Sequence, residues 1–158
     1  MNQVMQRLNL PTYSFKLKSE NGRDLIFDSF RNRWVALTPE EWVRQHFVEY
    51  LISDYGYPRS LLLLEQTITL NGLSRRCDVV AYNRSGRPVL LVECKSPSVI
   101  LNQKVFDQVA RYNLVLGVGY LVVTNGLEHY SIEVPGGKGS YRFMNEIPGY
   151  TVLEDHSG

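Results

Sequence analysis

Cysteine, histidine and long apolar runs are all scarce in this chain, and each scarcity removes a class of protein. The 158 residues hold two cysteines and three histidines. Cys77 and Cys94 cannot build a disulfide framework, and neither lies in a CxxC or Cys/His spacing suited to zinc. Two small buried side chains in a reducing compartment is the expectation. His46, His129 and His156 stand far apart without metal spacing, which leaves them surface or capping roles. The longest mostly apolar stretch, Leu114 to Val123, is about half the ~20 residues a membrane helix needs. Met1 to Arg7 carries no apolar run either, so no membrane span and no signal peptide is expected, and a cytoplasmic location is. A GxxxxGK[ST] loop is missing, which argues against an ATP-driven motor, and so is the Gly-x-Ser-x-Gly elbow of a serine hydrolase. Gly117-Val118-Gly119 reads as a tight connection into a strand, and Gly136-Gly137-Lys138-Gly139 as a flexible loop.

What remains is an ordinary globular composition, 44% hydrophobic and 21% charged. Its length suits one domain of roughly 100–200 residues. The net charge of +1 predicts no strong global pull on nucleic acid, but the total hides a gradient. Residues 59–111 carry eight basic and four acidic side chains, whereas residues 112–158 carry two and five. A positive middle permits a local basic footprint.

The elements follow from periodicity and punctuation. Tyr13 to Lys18 alternates like a half-buried strand, Asn21-Gly22 is a tight turn, and Leu25–Phe27 and Trp34–Leu37 read as short strands. Thr38 then caps a helix, with Pro39 at its first position and Glu41 completing a capping box. Val43, Phe47, Tyr50 and Leu51 form one stripe, Trp42, Val48 and Ile52 a second patch, and Gly56 to Pro58 ends the helix. Strands are expected over Leu61–Leu70, Arg76–Tyr82 and Pro88–Lys95, the last two forming a hairpin around Ser85-Gly86. Val89 to Val92 is apolar on both faces, as in a sheet covered on both sides. A second helix from about Asn102 to Leu116 should bury Phe106, Val109, Ala110 and Leu114. Strands Tyr120–Thr124 and Glu128–Val134 follow; Tyr130, Ile132 and Val134 point inward and the second strand lies near a sheet edge. The sum is an α/β domain with a mixed central sheet flanked by helices. It divides into an N-terminal β extension (1–37), a core (38–134) and a C-terminal strand and tail (135–158).

Three charged residues stand where a buried strand should have none. Residues of the central hairpin pair when their numbers sum to about 171, which sets Asp78 opposite Glu93 with Cβ atoms ~5 Å apart. Lys95 lies on the same face about 6–7 Å further along. Facing carboxylates repel unless a cation sits between them, and oxygen ligands select Mg²⁺ or Mn²⁺ over zinc. The main-chain carbonyl of Cys94 can add a third oxygen. Lys95 then supplies a positive group able to orient or deprotonate an attacking water, a set suited to phosphodiester hydrolysis. On the second helix, Gln108 and Tyr112 share a face bordered by Lys104 and Arg111, and together these four could hold nucleic acid. Ordinary salt bridging within the hairpin is the plain alternative.

The succession Arg76-Cys77-Asp78-Val79-Val80, Leu91-Val92-Glu93-Cys94-Lys95-Ser96-Pro97, Asp107-Gln108-Val109-Ala110-Arg111-Tyr112-Asn113 and Val123-Thr124-Asn125-Gly126 resembles the PD-(D/E)xK nuclease superfamily. More narrowly it resembles the N-terminal nuclease domain of type I restriction enzyme R subunits, with the Gln-x-x-x-Tyr arrangement of RecB-like nucleases. The resemblance spans about Thr38 to Tyr130. It implies a restriction-endonuclease-like core, with Asp78 and Glu93 as Mg²⁺ ligands, Lys95 as catalytic lysine, and Gln108 and Tyr112 positioning DNA. Relatives also bring a first-helix glutamate to the metal; Glu41 is the candidate, with Glu49 second, although Glu41 has the competing capping role. Lacking a motor, the chain is expected to act alone or with a separate motor or specificity chain. A non-catalytic nucleic-acid-binding or assembly module is the alternative function, and a hydrolase of small phosphorylated molecules a third.

Overall fold

The computed structural model of the chain describes residues 5–155, so the expectation for His156 lies outside the described residues. The chain opens with a small antiparallel sheet of β1 (Leu17–Glu20), β2 (Arg23–Asp28) and β3 (Arg33–Ala36), in that order. The strand expected at Tyr13 starts only at Leu17, and β1 is exposed throughout. Alternation at Tyr13 and Phe15 serves ring packing instead. Both rings lie against His46, at 6.0 and 4.9 Å, on helix α1 (Pro39–Tyr55). His46 is therefore buried, with Nδ1 at 2.8 Å from the Trp42 carbonyl, and is not a surface residue.

Helix α1 keeps the expected ends. Thr38 Oγ1 accepts the Glu41 N–H at 3.0 Å, and Gly56 closes the helix at φ +73°, a left-handed conformation that glycine adopts without a Cβ penalty. Only half of the capping box forms, because arginines claim the Glu41 carboxylate.

The main sheet has six strands in the order β4-β5-β6-β7-β8-β9. They are β4 (Leu62–Leu70), β5 (Leu73–Tyr82), β6 (Pro88–Cys94), β7 (Tyr120–Thr124), β8 (His129–Glu133) and β9 (Arg142–Met144). Helix α2 (Gln103–Leu116) joins β6 to β7, the one parallel pair, and α3 (Tyr150–Asp155) follows β9. Among the described residues after 134, strand β9 is followed by the helix α3, where no helix is expected from the sequence. Strand β9 also covers β8, which leaves Ser131 buried and not on an outer wet face.

The sheet is covered on both sides, as its apolar strands require. On one face Val79, Ala81, Leu90 and Val92 meet Val43, Phe47 and Leu51 of α1. On the other, Val80, Leu91, Leu121 and Val123 meet Phe106, Val109 and Tyr112 of α2. Each fully buried aliphatic side chain contributes about 1.5–3 kcal/mol. Leu114, expected inside, is 70% exposed. The stripe of α2 that faces the sheet runs through Phe106, Val109, Tyr112 and Asn113, which turns Leu114 outward.

Helix α2 ends where Gly137 meets Gly117. Asn113 Nδ2 donates to the carbonyls of Val118 and Gly137, and its Oδ1 accepts from Val118 N–H. The expected loop thus begins with a short turn over Pro135–Gly137 that packs closely. A Cβ on Gly137, at φ +75°, would stand 2.2 Å from the Gly117 carbonyl oxygen. Gly137→Ala is expected to cost about 2 kcal/mol or more in a urea unfolding titration.

Candidate active site

The site forms at the carboxyl end of β6, beside the crossover into α2, where open α/β sheets place their ligands. The β5–β6 ladder runs Val79↔Val92, Val80↔Leu91 and Ala81↔Leu90. Continued one step, that register sets Asp78 opposite Glu93. The turn that fixes it is closed by Asn83, whose Oδ1 accepts the N–H groups of Ser85 and Arg87.

The neighbouring β4–β5 ladder is interrupted at the same level. It pairs Leu64↔Val79 and Gln66↔Cys77, while Glu65, opposite Asp78, takes φ +55°. Side chains of equal parity change sides across this point: Leu62 and Val79 belong to the α1 face, Ile68 and Cys77 to the α2 face. The ribbon therefore rolls over at Glu65 and Asp78, and the Asp78 carboxylate faces α1 instead of lying in a regular pleat. Its Oδ1 accepts from Arg44 Nη2 of α1 at 2.8 Å, and its Oδ2 from the Cys94 N–H at 2.8 Å.

Glu93 is 6% exposed, and its Oε2 is buried with no hydrogen-bond partner. Its Oε1 lies 3.5 Å from Lys95 Nζ. Burial, and after it the negative charge of Asp78, push the Glu93 carboxyl up to about 8, with Lys95 pulling the other way. Tyr112 of α2 is also buried, at 8% exposure; burial and the Glu93 charge raise its phenol. Tyr112 is thus a side chain of the inner face and is not on a face shared with the exposed Gln108. Gln108, Lys104 and Arg111 lie on the exposed side of α2.

Neither cysteine offers a nucleophile. Burial pushes the Cys77 thiol up to about 12 and raises Cys94 well above its ordinary value, so both are thiols at neutral pH.

Sequence reasoning missed the basic side of the site. Arg31, in the turn after β2, spreads its guanidinium over three acids. Nε donates to Asp28, Nη2 to Glu41 Oε1 at 2.6 Å, and Nη1 to Glu65 Oε2 at 2.6 Å. Arg44 Nη1 reaches both Glu41 oxygens and Glu65 Oε1, each at 3.1 Å. Glu41 is therefore one arginine removed from Asp78. Glu49 bonds Arg59 at 3.0 Å and stands apart from these groups. Nothing local marks either arginine, since Arg31 lies in a turn and Arg44 in the second turn of α1. Glu65 gave no signal either, because its role rests on a backbone conformation.

A cleft of about 530 Å³ lined by Glu40, Glu41, Arg44, Glu65 and Ser96 opens beside these side chains. Among the described residues no three His, Cys, Asp or Glu side chains come together as a ready metal cage. Asp78 and Glu93 nevertheless form an oxygen-donor pair, one oxygen of which is orphaned. Six carboxyl groups (Asp28, Glu40, Glu41, Glu65, Asp78 and Glu93) face four cations, Arg31, Arg44, Arg76 and Lys95. That donor set and its excess of negative charge fit a hard divalent cation.

A mixed sheet between helices, with an Asp and a Glu-x-Lys meeting at one strand end, defines a restriction-endonuclease-like domain. The chain belongs to the family of type I restriction enzyme R protein N-termini, whose family model matches residues 39–148. It is also similar in fold to a solved fragment assigned as an HsdR subunit of a type I restriction enzyme from Vibrio vulnificus YJ016. The TM-score is 0.57 at 19% sequence identity, over 73% of this chain and 24% of that one. The chain thus spans about a quarter of the length of that relative. A comparison with curated proteins gives no match. Among the described residues no helix is long and apolar enough to cross a membrane.

Proposed function

We propose that this domain hydrolyses phosphodiester bonds in DNA with the help of Mg²⁺ or Mn²⁺. The single observation that carries the reading is the buried, unpartnered Oε2 of Glu93 beside Asp78. A buried carboxyl oxygen is costly unless a proton or a cation binds it, and a divalent ion between Asp78 and Glu93 would take the place of the proton that Glu93 otherwise keeps. Asp78 and Glu93 would hold the ion, with the main-chain carbonyl of Cys94 as a third oxygen. When bound, the ion polarises a phosphoryl oxygen and lowers the pKa of water.

The protein's own groups do the rest. Arg44 and the Cys94 amide fix the Asp78 carboxylate in one orientation, and Glu41 acts through Arg44. Lys95, within reach of Glu93, orients the attacking water and offsets charge that develops on the phosphate. Tyr112 beside Glu93 and Gln108 one turn before it position the strand. Lys104 and Arg111, exposed on the same helix, meet flanking phosphates. The family supports other restriction-modification subunits as partners, including a separate motor or specificity chain.

The test is cleavage of supercoiled and linear DNA with either ion. Wild type is expected to cut only with metal, and Asp78→Ala, Glu93→Ala and Lys95→Ala to cut about 100- to 1,000-fold more slowly. Equal rates in all four proteins would overturn the proposal. One observation favours a second reading. Both Asp78 oxygens already accept hydrogen bonds from the protein, as a retired site would allow. That reading, a nucleic-acid-binding or assembly module, predicts salt-dependent DNA binding without cleavage under any metal.

A further inference from the structure

The N-terminal sheet could be a mere appendage, since the family model begins only at residue 39. The ion pairs place it otherwise. Asp28 is wholly buried at the end of β2, and its Oδ1 accepts the N–H groups of Phe30 and Arg31 at 2.8 and 3.1 Å. This folds the turn back and aims the Arg31 side chain, itself only 15% exposed, at α1 and β4. Each nitrogen edge of its guanidinium meets an acid on a different element: Asp28 on β2, Glu41 on α1, Glu65 on β4. Glu41 and Glu65 are the same two acids that hold Arg44 Nη1, while Arg44 Nη2 holds Asp78.

We infer that Arg31 is a positioning residue for Asp78, acting through Glu41, Glu65 and Arg44, and that the N-terminal sheet is thereby a working part of the site. The inference rests on the reading of Asp78 as a metal ligand. The geometry is one that a planar fork with fixed donors can satisfy and a single ammonium cannot. Glu65 points the same way. Its left-handed backbone lies opposite Asp78, and such a conformation in a non-glycine residue persists only where its surroundings impose it. Arg31 and Arg44 on its carboxylate, with the exposed Arg76 further off at 3.7 Å, are those surroundings. Without Arg31, Glu41 and Glu65 would be free to repack around Arg44. The direction in which Arg44 presents its second nitrogen, and with it the Asp78 carboxylate, would no longer be unique.

The experiment measures Mn²⁺ binding by calorimetry on the full chain, with circular-dichroism melts to confirm that each protein is folded at the assay temperature. Arg31→Ala is expected to weaken Mn²⁺ binding about tenfold, in line with the loss of groups that orient metal ligands. Arg31→Lys is expected not to restore it, although the charge is kept. Should Arg31→Ala melt below the assay temperature, Arg31→Gln replaces it. Arg33→Ala, on the exposed start of β3, is expected to bind like the wild type. Wild-type affinity in folded Arg31 variants, with binding lost in Asp78→Ala, would overturn this inference and leave the nuclease proposal standing. Full rescue by Arg31→Lys would also overturn it, by reducing the role to charge alone. No Mn²⁺ binding by the wild type would overturn both.

Discussion

A Glu93→Gln protein is expected to be more stable than the wild type at pH 8.5 and to cleave DNA at no more than background rate. The stability gain follows from the proton. Glu93 has an ordinary value of 4.5 and is pushed up to about 8 in the fold by burial and by Asp78. Between these values the folded state holds a proton that the unfolded chain releases. This group's contribution to stability is therefore complete below about pH 4.5 and is lost progressively as pH rises through 8. Glutamine keeps the shape, is neutral at every pH and removes the clash of charges with Asp78. The variant should track the wild type in urea titrations at pH 4 and exceed it by about 1–2 kcal/mol at pH 8.5, a magnitude usual when a strained functional group is relieved. Cleavage is lost because an amide offers a weaker ligand than a carboxylate, and because Lys95 loses the charge it faces. Parallel stability curves across this pH range would show that Glu93 is not held protonated. Retained cleavage would remove it from the chemistry.

Legibility in the sequence followed the range of the interactions. Helix α1 was readable at both ends because its signals are local: a threonine cap, a proline at the first position and a glycine in the left-handed region. The β5–β6 register was readable because the hairpin turn is short and Val89 to Val92 admits one buried arrangement. What escaped depends on residues remote along the chain. Tyr13 and Phe15 alternate like a strand, yet the rings of α1 capture them. Helical spacing sets Tyr112 on a face with Gln108, and it does not reveal that β4 and β5 roll over at Glu65 and bring Cys77 on to the α2 face, where Tyr112 packs. The acids of the site were visible as charges out of place in apolar strands. Arg31 and Arg44 were not, since an arginine near a helix start or in a turn is ordinary. Only the assembled fold shows that five carboxylates, Asp28, Glu40, Glu41, Glu65 and Asp78, converge on these two side chains.

Removal of Arg44 is expected to be the most destabilising single substitution at the site. Its side chain is 6% exposed and ion-paired with Glu41, Glu65 and Asp78, and weakly with Glu40 at 3.4 Å. The arrangement is costly even as it stands, because Arg44 Nε is buried without a partner. Replacing the whole cluster with apolar side chains need not harm the fold, whereas removing one partner leaves buried charges uncompensated at a cost of about 3–5 kcal/mol. Arg44→Met fills a similar volume without the charge, so the loss it reports is electrostatic. In a chain of this size that loss should lower the melting temperature by roughly 6–20 °C. Asp78→Asn in the Arg44→Met background should recover part of it, because one of the stranded carboxylates is then neutral. A double-mutant cycle on residues 44 and 78 is thus expected to show a coupling of about 1–3 kcal/mol. Additive effects would mean that the 2.8 Å contact between Arg44 and Asp78 carries no net energy. A strong coupling would mean that this fold keeps a buried charge network which an apolar core could replace. The acids such a network holds in place are the ones the proposed hydrolysis uses, which would tie the stability of α1 to the proposed chemistry at the end of β6.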